Sequence, residues 1–379
     1  RIRSEFAFPV ALMLDTKGPE IRIRKFENGQ AELVEGQKFI LTTRDVAGNS
    51  GIVSVTYPGL PADVKAGCVI LIDDGLISLR VERTENEDII CAVVNGGVLT
   101  NNKSINIPCM QIRLPYISNQ DREDILFGIE NGFDFIAASF VGTPRDVTAV
   151  RTLLEENGGQ KINIIAKIEN QEGVDNIDGI IAVSDGIMVA RGDMGVEIPF
   201  ENIPEIQKTL IEKCYTQGKR VIVATQMLDS MMRNPRPTRA ETTDVANAIY
   251  DGASAIMLSG ETAAGKYPVE SLATMFRIAA KTESVIHYRK RFENKDCSIL
   301  TTTDAISHAT CSTAHDLDAA AIITVTKSGH TARMVSKFRP DCPIIAAAID
   351  ETVWRQLALS WGVYPIMADV KTSTDDLFD

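Results

Sequence analysis

The sequence predicts an α/β protein: a (β/α)8 TIM barrel of parallel strands, an all-β domain inserted in it, and an open α/β domain after it. Three observations predict this. From residue 116 onward, helix-compatible stretches alternate with strands that are apolar throughout, as a parallel sheet covered on both faces requires. Polar residues fall at the C-terminal ends of those strands: Lys167, Asp193, Thr225, Ser259 and Glu261. The spacings are 26 residues from Lys167 to Asp193, 32 more to Thr225 and 36 more to Glu261, one βα unit each. The third observation is a change of character over residues 18–115, where short β-rich pieces replace helical periodicity. A doubly wound sheet is the competing architecture, but no G-x-G-x-x-G follows an early strand.

The 379 residues suffice for two or three domains. Hydrophobic residues make up 44% and the net charge is −12, with mean hydropathy −0.01, so the chain reads as an ordinary soluble globular protein. An acidic balance argues against nucleic-acid and membrane-surface partners, whose footprint is a basic excess. Phosphate ligands need only a local positive pocket and stay open. No apolar run approaches the roughly 18 residues of a membrane helix. The seven cysteines are scattered without a C-x-x-C, which fits a reducing cytoplasm better than a disulfide framework or zinc cluster. All four histidines (His287, His308, His315, His330) lie after residue 286. Acid-base or metal chemistry before that point must therefore use carboxylate, lysine, hydroxyl or water.

In chain order, FPVALML (8–14) reads as a buried strand, with Asp15-Thr16-Lys17-Gly18-Pro19 at its end marking a change of direction. KFILTT, GIVSVTY, CVILID, GLISLRVE and DIICAVV follow, separated by turns such as Asp74-Gly75 and Asn95-Gly96, and predict a small barrel. Pro108 and Pro115 mark the way out. Helices are expected at 119–131, 143–157, 171–183, 201–217, 238–251 and 268–285, and strands at 133–140, 162–169, 186–193, 220–226 and 254–260. The last region alternates helix 303–316, strand 320–326, helix 330–338, strand 343–349, helix 351–360 and strand 363–367. The expected domains are 1–17 with 116–286, then 18–115, then 287–379. The chain opens at Arg1 and closes in a polar segment, and reads as cut at both ends.

The chemistry concentrates in Ile162–Glu197. One strand ends in Lys167-Ile168-Glu169, the next in Arg191-Gly192-Asp193. Alternate strand residues share a face, so Lys167 and Glu169 point the same way. Two carboxylates and a lysine at adjacent strand ends suit a divalent metal beside a cation, stabilising a phosphoryl group or an enolate. Ion pairs capping a sheet would show the same charges. Ser328-Gly329, with Lys327, forms a βα turn whose amides could hold a phosphate, and an ordinary turn would look alike.

Seven signatures stand together in order: LDTKGPEIR (14–22), IDDGLISL (72–79), IIAKIEN (164–170), VARGDMGVE (189–197), VATQMLDSM (223–231), the segment from Asn234 to Pro268, and TKSGHTARMVSKFRP (326–340). Together they closely resemble the pyruvate kinase family over nearly all of residues 10–370. The resemblance implies phosphoryl transfer from phosphoenolpyruvate to ADP, giving pyruvate and ATP. It implies Mg²⁺ (or Mn²⁺) held by Glu169 and Asp193, with Lys167 where the phosphoryl group passes. The amides of Gly192 and Asp193 would seat the substrate carboxylate, and Thr225 would lie where the enolate is protonated, relaying the proton or ordering water. Asp15 and Thr16 match K⁺ ligands, and Glu20 is the acidic variant associated with K⁺ dependence. Arg22 and Lys103 match nucleotide-phosphate contacts, Lys103 from a lid domain; Asp74 would help at the lid interface or simply make a turn. Thr326, Lys327, Ser328 and Thr331 match a loop for a phosphorylated allosteric effector. A cytoplasmic homotetramer is the family habit. The family's barrel has eight strands, of which six are readable here. The first two, with an Arg-x-Asn-Phe-Ser segment, are expected upstream of Arg1.

Two other readings share some of these features. A Mg²⁺-dependent barrel lyase or aldolase acting on a pyruvate enolate would lack the lid domain, Arg22 and Lys103. A non-catalytic phosphometabolite-binding scaffold would not need Lys167, Glu169, Asp193 and Thr225 intact.

Overall fold

The computed structural model describes residues 2–108, 114–293 and 301–369. Cys109 and Cys297, and the tail beyond 369, lie outside the described residues. Six strands form the central parallel sheet: β1 (Met13–Asp15), β2 (Phe135–Ala138), β3 (Asn163–Ile168), β4 (Gly186–Ala190), β5 (Arg220–Ala224) and β6 (Ala255–Met257). Sheet order equals chain order, so each strand lies beside its successor. Intervening helices supply the crossovers: α1 (Asn119–Glu130), α2 (Pro144–Glu156), α3 (Gln171–Asp175), α4 (Ile177–Val183), α5 (Arg191–Glu197), α6 (Ile203–Thr216) and α7 (Arg239–Asp251), with α8 (Pro268–Glu283) after β6. Strands β2, β4 and β5 are buried at every residue, which is why they carry no polar alternation. One face joins Ile136, Ile164, Ile187 and Val221 to the helices; the other joins Phe135, Ile165, Met188 and Ile222.

Helix starts follow their caps. Ser118 and Asp121 form a capping box on α1, and Thr238 and Glu241 one on α7. Gly252 ends α7 at φ 106°, a left-handed position that suits glycine.

Several expected boundaries move. The strand over 8–14 is ordered as strand only at Met13–Asp15, since β1 is an edge strand with three paired residues. The helix over 171–183 is broken at Asn176 into α3 and α4. The strand over 186–193 stops at Ala190, and Arg191-Gly192-Asp193 is the first turn of α5. The strand over 220–226 stops at Ala224 because Thr225 and Gln226 adopt φ of 70° and 53°, where no strand can continue.

The inserted region forms a seven-stranded sheet and a two-stranded ribbon. The sheet's terminal strands, Ile21–Arg22 and Ile52–Ser54, are joined by an Ile23–Val55 bridge and a Thr56 N–H donated to the Arg22 carbonyl at 2.9 Å, which closes a small barrel. Its core, including Phe39, Leu41, Ile70 and Leu79, is separate from that of the parallel sheet.

The C-terminal region has parallel strands β7 (Ile322–Thr326), β8 (Ile344–Ala348) and β9 (Val363–Met367), with helices α9 (Thr302–Asp316), α10 (His330–Lys337) and α11 (Glu351–Leu357). It docks on the N-terminal ends of the barrel strands. Arg355 on α11 pairs with buried Asp134 at 2.8 Å, Gln356 donates to the carbonyls of Asp134 and Lys161, and Arg220 donates to Ser360 and the Gln356 carbonyl. The opposite, C-terminal ends of the strands are left for chemistry.

Candidate active site

Strands β1 to β5 deliver their polar residues to one end of the sheet. Lys167, next to last in β3, has its ammonium 3.1 Å from Asp15 Oδ1, 3.1 Å from Glu169 Oε1 and 2.8 Å from Ser139 Oγ. Burial would lower its pKa, but the Glu169 and Asp15 carboxylates outweigh that and raise it. Lys167 is therefore a fixed positive charge.

Glu169 is fully buried. Its Oε2 accepts the Phe140 N–H at 2.6 Å. Its Oε1, although 3.1 Å from Lys167 Nζ, lacks hydrogen-bond geometry and is otherwise unpartnered. Burial pushes the Glu169 pKa up to about 7; Lys167 opposes the rise and Asp193 adds to it. Asp193, in the first turn of α5, is also raised, first by burial, against the pull of Lys167, with Asp74 and Glu20 adding negative charge. Asp15, Asp74 and Glu20 thus join Glu169 and Asp193 in a region whose cations are Lys167 and, paired with Glu20, Arg22.

Thr225 follows β5 at φ 70°, an uncommon conformation for a β-branched residue and a mark of strain at functional sites. Its hydroxyl accepts the Gly192 N–H at 2.7 Å and donates to the Ala224 carbonyl at 2.6 Å. Arg191 holds the turn: it pairs with Asp244 at 2.6 Å and donates to the Thr225 carbonyl at 2.7 Å. The strained turn is over-determined by these contacts.

A cleft of ≈ 890 Å³ separates the small β barrel from the sheet and is lined by Glu20, Arg22, Asp74, Phe140, Asp193 and Glu197, among others. A second hollow of ≈ 810 Å³ lies on the other side of Asp193, over Gly192, Thr225 and Glu261. Asp74 and Asp193 line both. Lys167 and Glu169 line neither, and reach the cleft's lining through the Phe140 N–H that Glu169 accepts. Asn106 of the β barrel donates to Glu197 of α5 at 2.9 Å and fastens the two domains across the cleft.

The other residues singled out in the sequence are less uniformly placed. Arg22 faces the cleft but pairs with Glu20 at 2.7 Å and donates to the Asn102 carbonyl. Lys103 pairs with Asp73 at 2.7 Å and is not among the cleft-lining residues. Asp74 sits in a tight turn at φ 52°. Asp15 reaches Lys167, while the Thr16 hydroxyl accepts the Ser139 N–H and its carbonyl accepts the Ser139 hydroxyl. Thr326 is buried at the end of β7, and Lys327, Ser328 and Thr331 are exposed around Gly329. None of these four lines the cleft or the hollow.

Sequence reasoning passed over Ser139, Phe140 and Arg191. Ser139 bridges Asp15, Thr16 and Lys167, and Phe140 adopts φ 53° to aim its N–H at Glu169. Their available signal was position, directly after β2, where the other strands also place their polar residues. Among the described residues no group of three or more His, Cys, Asp or Glu could hold a metal alone.

Residues 1–272 match the family model described as "Pyruvate kinase, barrel domain", and residues 304–379 match "Pyruvate kinase, alpha/beta domain". A pyruvate kinase of Clostridium acetobutylicum is 53% identical over 379 residues, which is 100% of this chain and 80% of that protein. One of Geobacillus stearothermophilus is 55% identical over 373 residues, 98% of this chain and 64% of that protein. The chain therefore spans less than two thirds of some relatives and four fifths of others. Among solved structures, a pyruvate kinase from Cryptosporidium parvum superposes with a TM-score of 0.92 at 42% identity, over 98% of this chain and 77% of that chain.

Proposed function

The chain belongs to the pyruvate kinase family, and on that premise we propose that it carries the machinery transferring a phosphoryl group from phosphoenolpyruvate to ADP, giving pyruvate and ATP, the last step of glycolysis. The observation that carries the reading is the fixed ammonium of Lys167 paired with the buried Glu169, near the half-buried Asp193 that lines a large cleft. In this reading Lys167 offsets the charge of the transferring group and the departing enolate. Asp15 and Ser139 orient that ammonium. Thr225 stands where the enolate is protonated, and Gly192 and Asp193 seat the substrate carboxylate. The Gly192 N–H now reaches the Thr225 hydroxyl, so substrate binding would release that hydroxyl toward the enolate. Closure of the β barrel against α5 excludes water, which would otherwise divert transfer to hydrolysis.

Glu169 and Asp193 would hold Mg²⁺ (or Mn²⁺). Glu169 Oε1, which accepts no hydrogen bond, and two carboxylates raised first by burial and then by neighbouring negative charge, fit a divalent cation. Two protein carboxylates, with substrate oxygens and water completing the shell, suit Mg²⁺, which is seldom caged by protein alone. When bound, the ion supplies Lewis-acid stabilisation of phosphoryl and enolate oxygens. The K⁺ set fits less well: Asp15 is spent on Lys167, both Thr16 oxygens contact Ser139, and Glu20 pairs with Arg22.

The same proposal assigns ADP phosphates to Arg22 and Lys103, each of which must first exchange a carboxylate neighbour, Glu20 or Asp73. It assigns a phosphorylated effector to Thr326, Lys327, Ser328 and Thr331. It divides the chain into a barrel (1–17 and 116–286), a lid (18–115) and an effector domain (287–379), in a cytoplasmic homotetramer. Among the described residues no helix is long and apolar enough to cross a membrane. The test is a lactate-dehydrogenase-coupled assay with Mg²⁺ and K⁺. Pyruvate must appear from phosphoenolpyruvate only when ADP is present; no pyruvate, or pyruvate without ADP, overturns the proposal.

A further inference from the structure

Where the barrel floor meets the C-terminal region, a cavity of ≈ 20 Å³ is lined by Lys219, Arg220, Arg333, Lys337, Arg339 and Trp361, among others, and by no carboxylate among the described residues. Lys219 and Arg220 come from the start of β5, and Arg333 and Lys337 from α10. Among the described residues only Lys337 of these five cations is ion-paired, to Asp304 at 2.7 Å. The rest reach neutral oxygens. Lys219 donates to the Ser184 carbonyl, Arg220 to Ser360 and the Gln356 carbonyl, Arg333 to the Ser328 carbonyl, and Arg339 to the Gly252 and Ala253 carbonyls. Arg220 is only 3% exposed and Arg339 6%.

Burying guanidinium groups without an opposite charge is costly, and the cost grows when they face one another. Burial pushes the pKa of Lys219, Arg220, Arg333 and Arg339 down, and the charge of Arg333 deepens the fall at Lys219 and Arg220. Arginine does not release its proton under ordinary conditions, so the positive charge stays, offset only in part by Asp185 near Lys219, Arg220 and Arg333 and by Glu283 and the Tyr215 and Trp361 rings at Arg339. The nearby carboxylates are committed elsewhere: Asp185 to Arg151, and Glu283 to the Trp361 indole.

We propose that this cavity binds a small monovalent anion of chloride size, which neutralises the cations brought together by the barrel and the C-terminal region. The volume admits about one water-sized guest, which suits a monatomic anion better than a phosphate ester or carboxylate metabolite. The anion lies between the strand that runs into Thr225, stopping at Ala224, and the helix that begins within the Thr326–Thr331 loop, so its occupancy stiffens the joint between them. The site does not depend on the catalytic reading.

The test is the melting temperature of the whole protein in potassium chloride against potassium gluconate, at equal K⁺ and ionic strength. Gluconate is too large for the cavity. Chloride should give an additional, saturable rise. Lys219→Gln and Arg333→Gln, each removing one charge-assisted contact, should raise the half-saturating chloride concentration roughly tenfold. Coincident curves in the two salts, or a chloride effect that neither substitution moves, overturn the site. If the substituted proteins fold poorly, crystals of the unsubstituted protein grown in bromide decide: an anomalous bromide peak in the cavity supports the site, and water alone overturns it.

Discussion

Lys167 combines three properties that are seldom found together in a surface ion pair. Its side chain is mostly buried, it is held by two carboxylates and a serine hydroxyl, and its charge is reinforced rather than quenched by its surroundings. A cation so placed needs little reorganisation when charge develops beside it. Lys167→Met keeps much of the bulk and removes the charge. Turnover should fall roughly 10³-fold, while calorimetry should still record Mg²⁺ binding to Glu169 and Asp193. Near-normal turnover would take the lysine out of the mechanism. Lys167, Glu169, Asp193 and Thr225 stood out in the sequence because each follows or ends an apolar run. Ser139 and Phe140 were not, since one serine at a strand end is unremarkable and Phe140 acts through its backbone N–H. The left-handed Thr225 was also hidden, because β-branched residues argue locally for extended chain. Only the clasp of Arg191 and Asp244 shows what holds it.

At the scale of elements, the turn from β1 into the lid deserves a separate test. Asp121, inside the capping box of α1, also accepts the N–H groups of Lys17 at 2.7 Å and Gly18 at 3.3 Å. The start of a helix and the exit to the lid are thus fixed by one carboxylate. Gly18 has φ 72°, and a Cβ there would lie 3.0 Å from the Ser139 carbonyl oxygen. Gly36 has a similar φ of 81° with open space around it. Gly36→Ala should cost about 1 kcal/mol, for backbone conformation alone. Gly18→Ala should cost more and should lower turnover as well, because the backbone it pushes carries Ser139. Urea unfolding and the coupled assay on both variants check this; equal losses of stability with full activity in both would refute the coupling. The sequence announced the turn through Gly18-Pro19 but not its partner, since Asp121 is 103 residues away from Gly18 and ordinary for a helix start. Interior strands were readable from their apolar runs, whereas edge strand β1 was overestimated, because an apolar run does not reveal how many residues find a neighbour.

The whole molecule separates two ends of one sheet. Its chemistry gathers at the C-terminal ends of β1 to β5, and the C-terminal region is bolted to the other ends through Asp134, Arg220 and Gln356. Any signal from the 326–331 loop must therefore cross that floor. Lys327→Glu should blunt activation by a panel of phosphorylated sugars and leave turnover at saturating substrate unchanged; an undiminished response would make the loop an ordinary turn. The order of domains was legible in the sequence, from the change between helical and β patterning. Their docking was not, because it is made of long-range pairs such as Arg355 with Asp134, 221 residues apart. The small β barrel has one further consequence. Its seven-stranded sheet is sewn shut by the Ile23–Val55 bridge, so its outermost strands are covered by each other. Were this domain to part from α5, contacts such as Asn106 with Glu197 would be lost, while the closed seven-stranded sheet would still offer no raw terminal strand to a neighbouring molecule. A sheet closed on itself in this way leaves a second copy of the chain little to pair with, whatever the position of the domain.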